Sequence, residues 1–142
     1  MVNLIKKSTL VLLAIGVTLI AFGAVSAQES SMKGNNLSIE SAVICEGVED
    51  RAPVGPGNVF PVSVDRLYCY TRIVGATEQL TITHVWYFGD KERARVPLSV
   101  RAASWRTYSS KKIQPHEIGD WKVEILGPDG EILKTLLFET IL

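Results

Sequence analysis

The chain has few of the residues from which active sites are usually built. It holds two histidines and two cysteines in 142 residues. Neither cysteine has a histidine or aspartate at ligand spacing, so no metal site is expected. No G-x-S-x-G elbow, P-loop, G-x-G-x-x-G or H-E-x-x-H string occurs. The usual serine-nucleophile, nucleotide-binding and zinc-protease devices are therefore missing. Aspartates and glutamates are scattered through turns and solvent faces, which nominates no glycosidase pair. No cofactor and no catalytic residue are expected, and the chain reads as a non-enzyme. Fifteen Lys+Arg balance fifteen Asp+Glu, and a neutral chain has no bulk attraction for nucleic acid, so no such partner is expected. After residue 27 no stretch repeats its apolar residues at a 3.6 period, which argues against helices in the folded part.

What is present begins with a leader. Lys6 and Lys7 supply positive charge, Leu10 to Val25 is almost wholly apolar, and Val25-Ser26-Ala27 offers small residues at the −3 and −1 positions. This is the layout of a signal helix, residues 1–27, cut between Ala27 and Gln28. The competing reading is an uncleaved anchor, because Ser8 to Ala27 is twenty residues without a charge and is long enough to span a bilayer. Either way the chain is exported, to the periplasm or beyond, and touches a membrane only through this segment. Without Lys6 and Lys7, thirteen basic residues face fifteen acidic ones, a net charge of about −2. Cys45 and Cys69 both lie in the exported part, where an even count favours a disulfide. A bond closing about 25 residues would be worth roughly 3 kcal/mol by chain entropy. The alternative is two buried free thiols.

Residues 28–36 are polar and aperiodic, a short flexible linker, and 37–142 leaves room for a single domain. Within it the period is two. Leu37, Ile39, Val43 and Cys45 share one face of a first strand. Gly47 to Pro61 is a stiff loop rich in proline and glycine. Val62 to Ile73 sets Leu67, Cys69, Thr71 and Ile73 against Tyr68, Tyr70 and Arg72. Leu80, Ile82, His84, Trp86 and Phe88 alternate strictly with Thr81, Thr83, Val85 and Tyr87. Ala94, Val96, Leu98 and Val100 follow, with Pro97 marking an edge strand or a bulge. Trp121, Val123 and Ile125 point inward from a later strand, and Gly127-Pro128-Asp129-Gly130 signals a hairpin into Ile132–Phe138. About seven short strands with turns every 8–12 residues describe an all-β, antiparallel β-sandwich of immunoglobulin-like type.

Polar chemistry is concentrated in Ser104-Trp105-Arg106-Thr107-Tyr108-Ser109-Ser110-Lys111-Lys112. Uninterrupted alternation from Val100 would bury Arg106, and an unpaired buried guanidinium costs several kcal/mol. A break at Ala102–Ser104 is therefore expected, turning Trp105 inward and Arg106 and Tyr108 outward. Trp86, Trp105 and Trp121 are read as structural. His84 stands on the apolar face of its strand, as a core histidine with a satisfied nitrogen would. Ser109 with His84 could also be imagined as nucleophile and base, although no motif supplies an orienting acid. The candidate ligand surface is Arg106, Tyr108, Ser109 and Lys111, with Arg51 and His84 as neighbours. Aromatic rings beside Arg and Lys suit sugars, peptides or anionic polymers.

The strings His84-x-Trp86-Tyr87, Trp105-Arg106-Thr107-Tyr108-Ser109-Ser110-Lys111, Gly119-x-Trp121-x-Val123 and Asp129-Gly130-x-x-Leu133, with Phe138, resemble the bacterial family called domain of unknown function 2914. Glu49-Asp50-Arg51-x-Pro53 is similar to that family's first conserved loop. The resemblance implies an exported or membrane-attached all-β domain and carries over no catalytic residue. Val85 stands where the family often has a basic residue, which argues against anion binding at that position. The expectation is thus a non-catalytic envelope module that binds a glycan, a peptide or a partner protein. A purely structural or assembly domain is the first alternative and a small hydrolase the second.

Overall fold

Segments that alternate apolar and polar residues bury one face each, and the available solution is to stack sheets face to face. The structure, a computed structural model, describes residues 36–142. The expectations for a leader or anchor over 1–27, and for the linker up to residue 35, lie outside the described residues. The described chain is all-β. Its strands are β1 (Ser38–Cys45), β2 (Gly47–Glu49), β3 (Ala52–Val54), β4 (Val59–Pro61), β5 (Arg66–Val74), β6 (Leu80–Phe88), β7 (Lys91–Val100), β8 (Ser104–Lys112), β9 (Gly119–Leu126) and β10 (Ile132–Ile141). Three strands form one sheet in the order β1-β5-β8, and five form another in the order β4-β10-β9-β6-β7. The pair β2-β3 stands by itself. Pairing is antiparallel throughout except where β4 runs parallel to the end of β10.

The strand count exceeds the seven expected because the stretch Gly47–Pro61 is not one loop. It carries β2, β3 and β4, each of three residues, too short to show a period. A 3₁₀ turn over Val62–Val64 then separates β4 from β5. Pro97 does sit in an edge strand, since β7 ends the five-stranded sheet. Its missing N–H is harmless there.

One hydrophobic cluster joins the sheets: Ile44, Leu67, Cys69 and Ile73 from the smaller, Ile82, Trp86, Val123, Ile125 and Phe138 from the larger. Phe138 is its aromatic hub. It stacks on Trp121 at 5.7 Å and meets Trp86 and Phe60 edge-on at 6.2 and 6.1 Å. The inward sets expected for β5 and β9 are buried, as are Ile82, His84 and Trp86 of β6. Leu80 and Phe88 are half-buried, while Tyr70 and Val85, expected on the outward faces, are buried as well. In β1 the alternation breaks. A bulge between Ile39 and Ser41 shifts the register, so Ala42 and Ile44 continue the inner face of Leu37 and Ile39. Val43 and Cys45 turn to the outer face.

That bulge decides the cysteines. Cys69 pairs with Ile44 while Cys45 pairs with Tyr68, so the two thiols project from opposite faces of the same sheet. Side chains that point apart cannot be bridged, and the candidate disulfide gives way to two buried free thiols. Burial pushes the Cys69 thiol up to about 12, which leaves it protonated and unreactive at neutral pH. Reducing agent is therefore expected to leave the melting temperature unchanged, and titration with a thiol reagent in denaturant to count two thiols per chain without prior reduction. One thiol or none in the monomeric chain would show that the register of β1 against β5 is wrong.

Candidate ligand-binding site

The sequence carries its polar concentration across a change of sheet. β7 ends at Val100, residues 101–103 turn the corner, and β8 begins at Ser104 in the other sheet, paired with β5. Gly75 braces the corner by donating its N–H to the Ala103 carbonyl at 2.8 Å. Its φ of +91° suits glycine, and a Cβ there would fall 2.0 Å from the Asn36 carbonyl oxygen. The corner resets the parity of the strand. Trp105 packs against the core, Ser109 is buried, and Arg106 and Tyr108 are exposed.

Ser109 enters a hydrogen-bonded group that spans the two sheets. His84 Nδ1 lies 2.7 Å from Ser109 Oγ, His84 Nε2 lies 3.0 Å from Thr71 Oγ1, and the Trp86 indole N–H donates to Ser109 Oγ at 3.0 Å. Thr71 in turn lies 4.0 Å from Cys69 Sγ. Burial without a charged partner pushes His84 from 6.5 down to about 4, so the ring is neutral and has one N–H. With that proton on Nε2 every group is satisfied: Ser109 O–H donates to Nδ1, Nε2–H to Thr71, and Thr71 O–H to the Cys69 sulfur. The opposite tautomer would leave the Ser109 proton without one of these partners.

A parallel solution surrounds Trp121. The Thr140 hydroxyl donates to the Glu117 carbonyl and accepts from the Trp121 indole at 3.1 Å and from Gly119 N–H at 3.2 Å. Glu117 itself is buried. Its Oε1 accepts from Gln114 N–H at 2.9 Å, and its Oε2 lies 3.0 Å from Arg93 Nη2. Arg93 is the extra residue of a bulge in β7, where Trp86 pairs with Ala94 and Tyr87 with Glu92. The bulge re-aims the guanidinium at the buried carboxylate.

On the outer face, Arg51, Arg72, Ser104, Trp105 and Arg106 line a cavity of about 310 Å³. Arg72 and Arg106 are direct cross-strand partners in the β5–β8 register. Arg72 Nε also meets Glu40 Oε2 at 2.7 Å. Arg51 arrives from the two-residue turn between β2 and β3, where Asp50 and Arg51 hold φ of 49° and 62°. Such a turn favours Asn-Gly, and each non-glycine residue in it costs of order 1 kcal/mol. Its geometry is held by the Arg51 carbonyl, which accepts from Tyr70 Oη at 3.1 Å and from Arg106 Nη1 at 3.5 Å.

The candidate residues therefore separate. Arg51 and Arg106 meet at the cavity. Tyr108 stands two positions along β8 from Arg106, exposed, its ring 5.9 Å from that of Tyr68. Lys111 is five positions from Arg106, about 16 Å along the strand, and its ammonium bonds the Lys112 carbonyl. His84 and Ser109, placed with the ligand surface on sequence grounds, are 0 % and 4 % exposed and belong to the core. The reason is parity: Ser109 shares the inward face of Trp105, and His84 that of Trp86. Arg72 and Ser104 were not anticipated. Arg72 shares the outer face with Tyr68 and Tyr70, but only the pairing of β5 with β8 brings it to Arg106.

The neutral core histidine makes the fold acid-sensitive. Its folded value lies below its unfolded one, so the unfolded chain binds the extra proton. Stability present above about pH 6.5 is therefore lost as pH falls towards 4, by about 3 kcal/mol in total. In His84→Leu this part of the pH dependence is expected to vanish, whatever stability the variant retains at pH 7. Equal slopes of unfolding free energy against pH for the two proteins would show that His84 is not buried neutral.

No curated protein matches the chain. Forty-five chains of solved structures do; among them, the crystal structure of the Bifidobacterium adolescentis GH3 beta-glucosidase has 7 % identity and a TM-score of 0.42. The match covers 73 % of this chain and 17 % of that enzyme, and a likeness so slight carries no argument. The loop at Glu49–Pro53 falls outside the one stretch that a family model covers. That stretch contains all of β6, β7, β8 and β9 and all but the last residue of β10: residues 79–140 match the family described as "Protein of unknown function (DUF2914)", the family that the tryptophan-arginine string resembles.

Proposed function

We propose that the chain is an exported, non-catalytic module of the bacterial envelope, an immunoglobulin-like sandwich that binds a polar ligand on the outer face of β5 and β8. The observation that carries this reading is the convergence of Arg51, Arg72 and Arg106 on one cavity, with exposed Tyr108 two positions away. Guanidinium groups and a phenol ring together offer hydrogen bonds and a stacking surface to a glycan, a peptide or a partner protein. Nothing in the packing of the core calls for these side chains.

The hydrolase reading draws on the 2.7 Å separation of Ser109 and His84. Against it, both groups are buried, the far ring nitrogen meets the Thr71 hydroxyl instead of a carboxylate, and the Trp86 indole occupies a lone pair of the serine oxygen. A general base also needs substrate within reach.

Two variants separate the readings. Arg106→Ala with Tyr108→Ala is expected to melt within a few degrees of the parent and to lose retention on glycan and peptide arrays. A fall of more than about 5 °C, equivalent to roughly 1 kcal/mol, would assign these side chains a structural role. Ser109→Ala is expected to lower stability by about 1–3 kcal/mol, by stranding the indole and imidazole, and to leave turnover of an ester panel at the level of the blank. Ester hydrolysis by the parent that disappears in Ser109→Ala would establish the enzyme instead.

A further inference from the structure

Like charges placed directly opposite one another on paired strands destabilise a sheet, yet Arg72 and Arg106 occupy such a pair. Glu40 answers one of them, at Arg72 Nε. Among the described residues no acidic side chain lines the cavity between them. A third arginine, Arg51, lines the same cavity and is brought there by a turn whose two central residues both hold positive φ without being glycine. A buried tyrosine hydroxyl, Tyr70 Oη, bonds the carbonyl of that strained residue. Two unfavourable arrangements, repulsion across the strands and strain in the turn, thus meet at one place and aim positive charge into one space. Strain retained against the folding preference is a pointer to function.

We infer that this cavity is a receptor site for a phosphate-type oxyanion, held between the Arg72–Arg106 pair and Arg51. Planar guanidinium groups present parallel N–H donors that match the oxygens of such an anion. Ser104 adds a hydroxyl, which accepts from Arg72 Nη2 at 3.5 Å. The volume of about 310 Å³ is at the small end for ligand pockets, which suits the anion with about one attached ring and excludes an extended polymer lying wholly inside. The inference rests on the binding-module reading above and narrows it to an anionic group.

The test uses inorganic phosphate and glucose 6-phosphate, with sodium chloride at matched ionic strength and glucose as controls, on the parent and on Arg106→Gln and Arg51→Gly. Both phosphates are expected to raise the melting temperature of the parent where chloride and glucose do not. A response to glucose 6-phosphate alone would place recognition in the ring-borne group, and a response to both in the anion itself. Each variant is expected to bind at least tenfold more weakly by calorimetry. Without ligand, Arg51→Gly should melt at or above the parent temperature, because it relieves the turn, and Arg106→Gln within a few degrees of it, because relief of the repulsion offsets the lost bond to the Arg51 carbonyl. Variants that bind phosphate like the parent, or that melt well below it, overturn the site. Retention of neutral glycans or peptides, unimpaired in these variants, would remove the anion site and leave the binding module standing. Failure of every array ligand together with phosphate would remove both.

Discussion

The fold depends on a hydroxyl. Ser109 Oγ is shared by the Trp86 indole and the His84 ring, and those two residues belong to β6 while Ser109 belongs to β8 in the opposite sheet. In a core of low dielectric, each of these polar groups costs about 1–3 kcal/mol if left unpaired, and the network is satisfied only in one register. A slip of β8 by one residue would withdraw Ser109 from the core and turn Arg106 into it. The network thereby fixes which side of β8 faces the solvent. The corner at residues 101–103 is where the chain absorbs the change of parity that this requires.

The same physical problem recurs around Trp121. An indole is too large to leave out of a small core and carries an N–H that needs an acceptor. Thr140 provides one and returns its own proton to the Glu117 carbonyl. Burying the Glu117 carboxylate beside this group would be costly alone, and the bulge at Arg93 supplies the countercharge. Two tryptophans, three hydroxyls, one histidine and one bulge account for the buried polar side chains Thr71, His84, Ser109, Glu117 and Thr140 and their partners. They pin the β6–β9–β10 part of the large sheet to β8 and to the loop before β9.

Alternation made the inner faces of β5, β6 and β9 legible from sequence, since no bulge interrupts them, although Tyr70 and Val85 on the opposite faces are buried too. It failed wherever one extra residue changed the parity. The bulge at Glu40 moved Cys45 to the outer face, and no local signal marks it. β2, β3 and β4 were hidden because three residues cannot display a period. The place of His84 on an apolar face was readable, whereas its partners Thr71 and Ser109 come from strands 13 and 25 residues away in sequence. The cavity was half readable for the same reason. Arg51 and Arg106 stood out by composition, but Arg72 became their neighbour only through the pairing of β5 with β8.

β8 carries two functions on alternate residues, and that constrains how each can vary. Its residues Trp105 and Ser109 complete the core and tolerate little change. Its even positions, Arg106 and Tyr108, touch the core through nothing but backbone and are free to answer to a ligand. The hairpin β2–β3 has no such support. Three residues per strand cannot hold a two-stranded ribbon together in water, so its hold on the domain comes from Tyr70 and Arg106 at the Arg51 carbonyl and from the Gly57 N–H bond to the Ile44 carbonyl just after β3. The cavity therefore has two rigid walls built on β5 and β8 and one built on a lightly tethered turn. Arg106 belongs to both, since it lines the site and bonds the carbonyl of the turn, so an occupant that draws Arg106 towards itself also loosens or repositions Arg51.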